Sequence, residues 1–194
     1  TLSSPTNAIL ADAIGIGTIT DNDLPTRTFV SAGGSDAADC SIQTTPCRNI
    51  AGALPKTAID GEIIILTPGE YETAPLTLAK GIKITSPSGT VAFIRQPITI
   101  DASSGRVVLR GLTLKGAAAD EAITLVAAGS VSIEDVAIDR WETGLFLANT
   151  VATQVTILNS AFRANVAGIG EGPGGPMNVV AIEDSRFEGN TNGI

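Results

Sequence analysis

Over the second half of the chain, apolar residues alternate with polar ones, and the alternation returns at a fixed interval. Four segments align: Val107–Lys115, Val131–Asp139, Val155–Arg163 and Val180–Glu188, offset by 24, 24 and 25 residues. Gly144-Leu145, Gly168-Ile169 and Gly193-Ile194 repeat in a second register, again 24 and 25 apart. Ile63–Leu66 and Ile82–Ile84 carry the same rhythm more loosely. A period in the twenties with a strand in every repeat predicts a solenoid. Leucine-rich repeats share that period, but their regular Leu and Asn positions are missing here. Three short strands joined by corners suit a coil of this size, with each position stacked on its equivalent about 4.8 Å away. Leu109, Ile133, Ile157 and Ile182 then form one inward column, and Leu114, Ile138, Phe162 and Phe187 another, with the residues between them facing out. The expected fold is all-β: a right-handed parallel β-helix of 24–25-residue coils that starts near residue 61 and continues past residue 194.

Two segments precede the coils. Residues 26–60 read as an entry unit. Thr28-Phe29-Val30 is a strand, Ser31–Asp39 a Gly/Asp/Ser loop, and Ile50, Ala53 and Leu54 lie at helical spacing in a short capping helix near Pro55. A helix over the first coil would shield an open sheet end from edge-on pairing. Residues 1–25 read as two short strands, an extended Thr1–Ala8 piece and the alternating Ile14–Thr20, closed by Asp21-Asn22-Asp23 and a Leu24-Pro25 linker. Two strands are too few for a stable domain by themselves.

Composition narrows the chemistry. The net charge is −8 with 12 basic residues, which argues against nucleic acid as a partner. No apolar run approaches the roughly 20 residues of a membrane-spanning helix. There is no histidine, so Ser-His-Asp and Cys-His catalysis and His-based metal sites are excluded. Cys40 and Cys47 enclose six residues including Pro46, a spacing that closes a short disulfide loop. A zinc site would need two further ligands nearby, and none is evident. A disulfide favours an oxidising compartment.

The conspicuous charges invite a catalytic reading, with Glu134, Asp135, Asp139, Glu183 and Asp184 as acids beside Arg110, Arg163 and Arg186. Their columns argue otherwise. Lys115, Asp139, Arg163 and Glu188 share one outward column with alternating sign, as a solvated ladder requires, each rung contributing roughly 0.2–1 kcal/mol. Asp135, Asn159 and Asp184, with Gly111 in the first of these coils, occupy a corner where Asn and Asp tolerate bent backbone. Tyr71 and Trp141, the one Tyr and the one Trp in the chain, are the candidate rings for stacking on a sugar. The Gly168–Gly175 stretch lacks the Lys-Ser/Thr of a phosphate loop and is expected to be a loop bulging between strands.

Two resemblances extend this reading. Phe29-Val30-Ser31, the Gly33–Asp36 loop, Cys40…Pro46-Cys47, Ala51–Ala58 and Gly61–Tyr71 resemble the start of bacterial secreted proteins of the pectate-lyase-like β-helix superfamily, in which such a unit caps the first coil. That fold is shared by polysaccharide lyases and hydrolases, binding modules and adhesins. Gly15–Asp23 resembles the tail of a Calx-beta domain, and the resemblance implies calcium as a cofactor with Asp21 and Asp23 among its ligands. The expected function is a non-catalytic extracellular or cell-surface module of a larger multi-domain protein, serving adhesion, carbohydrate binding or as a stalk, with a polysaccharide or other surface ligand as partner. One alternative is a polysaccharide lyase or hydrolase whose catalytic coils lie outside this segment. The other is a subunit that self-associates through open ends.

Overall fold

The protein is described by a computed structural model covering residues 23–173 and 175–194. The expected strands and Calx-beta-like tail before residue 23, and Asp21 with them, lie outside the described residues.

The described chain is a parallel β-solenoid with three sheets. The first contains β1 (Arg27–Val30), β2 (Gly61–Ile65), β5 (Ile82–Thr85), β8 (Arg106–Arg110), β11 (Ser130–Glu134), β14 (Gln154–Leu158) and β17 (Val179–Glu183), stacked in that order. The second contains β3 (Gly69–Glu70), β6 (Ala92–Ile94), β9 (Leu112–Lys115), β12 (Ala137–Asp139), β15 (Ala161–Arg163) and β18 (Arg186–Glu188). The third contains β4 (Leu76–Leu78), β7 (Ile98–Asp101), β10 (Glu121–Ala127), β13 (Thr143–Leu147) and β16 (Ala167–Glu171). Each of the five coils from β2–β4 to β14–β16 therefore contributes one strand to each sheet, while β1 belongs to the first sheet alone and the last coil to the first and second.

Both anticipated columns exist. Ile63, Ile84, Leu109, Ile133, Ile157 and Ile182 are partners in successive strand pairs, and all but the last are fully buried. Each fully buried aliphatic side chain in such a column stabilises by roughly 1.5–3 kcal/mol. Leu114, Ile138, Phe162 and Phe187 align in the same way in the second sheet. Where the column changes from aliphatic to aromatic, Phe162 and Phe187 stack with centroids 4.8 Å apart and planes 9° apart. The larger rings need bare backbone across the core. A Cβ on Gly144 would lie 2.6 Å from Phe162 Cδ1, and one on Gly168 would lie 2.6 Å from Phe187 Cδ1. Gly168 accordingly belongs to strand β16, not to a loop as its glycine-rich surroundings suggested, and the chain leaves the sheet only after Glu171.

The corners repeat as strictly as the strands. Gly111, Asp135, Asn159 and Asp184 all have left-handed backbone, with φ of 70°, 55°, 47° and 48°. Asn159 Nδ2 donates to Asp135 Oδ1 at 2.5 Å, joining two of these corners. A second left-handed column, Arg140, Ala164 and Gly189, was not anticipated. Ahead of the coils, α1 (Ile50–Ala53) is followed by a 3-10 turn, Leu54–Lys56, that contains Pro55. Cys40 and Cys47 form the expected disulfide, with Cα atoms 5.2 Å apart and both residues buried. The entry unit also extends the sheet: β1 pairs with β2 in register from Arg27 opposite Glu62 to Val30 opposite Ile65.

Candidate functional site

On the outer face of the first sheet, period-2 alternation brings charged and hydroxyl side chains into two columns. One runs Arg27, Glu62, Lys83, Val108, Ser132, Thr156; the other includes Thr85, Arg110 and Glu134. Their charges are consumed between neighbouring coils. Glu62 pairs with Lys83 at 2.8 Å and Arg27 at 3.6 Å, and accepts the Thr85 hydroxyl at 2.8 Å. Burial pushes the Glu62 carboxyl upward, but the Lys83 and Thr85 hydrogen bonds and the two cations outweigh it and hold the pKa below its ordinary value. Glu134 behaves alike. Burial is opposed by the Ser132 hydroxyl at 2.7 Å and by Arg110, whose Nε lies 2.7 Å away and whose terminal nitrogen also donates, so its pKa is lowered too.

The alternating ladder in the second sheet is present in register, since Lys115, Asp139, Arg163 and Glu188 are successive partners. It closes at one rung, Arg163 to Glu188 at 3.5 Å. Asp139 instead has a buried oxygen, Oδ1, with no hydrogen-bond partner. Among the described residues, no three acids or cysteines gather as a metal site would require. Asp23, the described half of the calcium pair, lies exposed at the start of the described chain.

The two candidate sugar-stacking rings are interior. Tyr71 is 0% exposed, its hydroxyl bonded to the Thr67 hydroxyl at 3.0 Å and to the Thr67 carbonyl. Trp141 is 2% exposed and lies against Gly116, where a Cβ would come within 2.5 Å of the indole Cδ2. Neither ring has a face open to a ligand. The reason is positional: both residues sit at corners that fold over the core, where a large ring fills the volume between coils.

The entry unit contains functional groups that sequence reasoning missed. Asp36 Oδ1 accepts the backbone N–H groups of Arg48 and Asn49 at 2.8 and 2.9 Å, and Oδ2 accepts Asn49 Nδ2 at 2.9 Å. Asn49, at the N-cap of α1, makes no side-chain capping bond of its own, so the donors at the helix start are met from outside. Glu72 completes the arrangement: it is 3% exposed and its Oε1 accepts the N–H of Ala51 at 3.1 Å. Burial raises the Glu72 pKa to about 7, with Asp36 adding to the rise and the N–H groups of Ala51 and Ile50 opposing it. Lys56 Nζ ties the loop from the other side, donating to the carbonyls of Asp36 and Ala38, both at 2.6 Å.

Polar ladders at the corners were also missed. Asn165 Oδ1 accepts Trp141 N, and Asn190 Oδ1 accepts Asn165 N, both at 2.9 Å. Ser160 and Ser185 repeat the device, accepting from Val136 N and Ser160 N at 3.1 Å. The signal was available as the 25-residue spacing of both pairs. No helix among the described residues is long and apolar enough to cross a membrane. Comparison with protein-family models, with curated proteins and with solved structures found no match.

Proposed function

We propose that this chain is a non-catalytic extracellular or cell-surface module whose rigid coils present a surface to other molecules. The observation that carries the reading is the pairing of its charges along the stack. Glu62 with Lys83, Glu134 with Arg110, Glu70 with Arg95 and Glu188 with Arg163 each join two coils, leaving those carboxylates engaged in holding strands together. A general acid or base must be free to exchange its proton with a substrate, and Glu62 and Glu134, held below their ordinary pKa by cations and hydrogen bonds, are poor proton donors near neutral pH. The buried disulfide supports an oxidising location. The pectate-lyase-like superfamily and the Calx-beta neighbour belong to the same proposal, as the lineage such a module would have.

The test is incubation with pectin and with alginate, with and without calcium, while the ultraviolet absorbance of unsaturated product is followed. A flat trace with both polymers is expected. Calcium-dependent product formation would make the chain a lyase and end this reading.

A further inference from the structure

The chain is acidic overall, yet at the corner joining the third sheet to the first, cations gather around a cavity of about 680 Å³. It is lined by Lys80 and Lys83 from one coil, by Ser103, Ser104 and Arg106 from the next, and by Asp60 from the entry unit. Gly81 and Gly105 also line it; a side chain at Gly105 would strike backbone, and one at Gly81 would displace the Asp60 carboxylate. A Cβ on Gly81 would lie 2.0 Å from Asp60 Oδ1, and one on Gly105 would lie 2.5 Å from Gly81 N.

The cations differ in what already holds them. Lys83 is paired with Glu62. Lys80 donates to the Thr57 carbonyl, which uses one of its three N–H groups, and has no carboxylate within ion-pair distance among the described residues. Desolvation lowers its pKa, the mark of a cation short of a counter-charge. The Arg106 guanidinium has no hydrogen bond or ion pair with any described residue, and the carboxylate that feels its charge, Glu134, is already bonded to Arg110 and Ser132. The Ser103 and Ser104 hydroxyls are equally unengaged among the described residues.

These groups specify a ligand class. Two uncompensated cations on adjacent coils, about 4.8 Å apart in the stacking direction, require an anion reaching both. A planar carboxylate presents two oxygens to one guanidinium, whereas a sulfate or phosphate ester presents three in divergent directions. Asp60 is an acceptor in the same cavity, so the ligand must also donate, as a sugar hydroxyl does. The volume falls in the range of about 300–1,000 Å³ typical of small-ligand sites and exceeds what a bare anion fills. We propose that this corner cleft binds a saccharide carrying a sulfate or phosphate ester, with Lys80 and Arg106 on the oxyanion, Ser103 and Ser104 donating to it, and Asp60 accepting from a ring hydroxyl.

The inference deepens the reading of the chain as a non-catalytic module and rests on it. It is tested by titrating the isotope-labelled chain with a sulfated disaccharide, its unsulfated parent, glucose 6-phosphate and a uronic-acid disaccharide. Saturable amide shifts at Lys80, Gly81 and Ser103–Arg106 are expected with one or both esters, and the tighter of the two identifies the source of the oxyanion. Arg106→Gln should weaken that binding about tenfold at an unchanged melting temperature, and Ser104→Ala by a smaller factor. The proposal falls if neither ester saturates these shifts by about 10 mM. It falls equally if the neutral or the uronate disaccharide binds as well as the esters, or if both variants bind as the parent does. Ligand recovered intact leaves the non-catalytic reading standing; ligand cleaved in the bound state keeps the site and ends that reading.

Discussion

The middle coils and the entry unit solve the same problem by different means. From β8 onward, backbone groups are satisfied by equivalents one coil away, and the corners reuse the same residue types at the same offset, as Asn165 with Asn190 and Ser160 with Ser185 illustrate. Between Ser31 and Lys56 there is no equivalent one coil away. Backbone hydrogen bonds such as Ser31 N to the Cys47 carbonyl and Ser35 N to the Pro46 carbonyl are joined by single side chains, Asp36 and Glu72 at the start of α1 and Lys56 across the loop, and by the disulfide. Repetition distributes the stabilisation over many similar contacts, whereas the entry unit concentrates it in a few irreplaceable ones.

Substitutions can sharpen that contrast. The largest effect is expected inside a column. Phe162→Ala, which removes a fully buried ring stacked on Phe187, should cost about 3–5 kcal/mol in chemical denaturation and expose β17 and β18 to hydrogen exchange first. Replacing Cys40 and Cys47 together by Ser should cost about 2–3 kcal/mol, and limited proteolysis should find the new cleavage between residues 31 and 56. A loss of protection spread evenly over all coils would erase the distinction drawn here.

The pH response should separate the two regions further. The Glu72 pKa is raised from 4.5 to about 7, so its contribution is complete below its unfolded value and is lost as pH rises through about 7, by an amount on the order of 3 kcal/mol. Asp36, Glu62 and Glu134 are shifted downward, so their contributions are present above their ordinary values and are lost as pH falls through the lower folded ones. Thermal melts should therefore peak near pH 4.5 and decline as pH rises toward about 7. Glu72→Gln should flatten the decline on the alkaline side alone, and an unchanged alkaline limb would remove Glu72 as its cause. The smallest effect is expected on the outer face of the second sheet: Arg163→Ala, at a rung where both partners are about half exposed, should shift stability by less than about 1 kcal/mol and lose even that in high salt.

The same contrast explains what was readable in the residues beforehand. The Leu109 and Leu114 columns were legible because a side chain that must point inward in every coil leaves an apolar residue at every repeat. The Asp135, Asn159 and Asp184 corner was legible because left-handed backbone selects Asn, Asp and Gly. The Arg140 and Ala164 corner was not, since those residue types carry no turn signal and the coil imposes the conformation on them. Whether Tyr71 and Trp141 face inward was not legible, because an aromatic ring with a polar tip suits a wet face and a corner core equally. Asp36 and Glu72 were invisible for a different reason. Their partners lie 12 to 21 residues away in an irregular segment, where no period relates one position to another.

One feature of the coils bears on how the chain can be altered. The first and second sheets keep nearly constant strand lengths, while the connection from the third sheet back to the first varies from two residues, 128–129, to seven, 172–178. Between the first and second sheets residues 86–91 likewise stand where Gly111 alone stands one coil later, and at the edge joining the third sheet to the first the fold again absorbs length without shifting any inward column. That edge is a tolerant splice line: peptides grafted between Leu147 and Gln154, or between Glu171 and Val179, would be displayed at fixed rungs of a rigid rod. Insertion of a single residue within the strand Arg106–Arg110 would instead turn the rest of that strand's side chains to the opposite face.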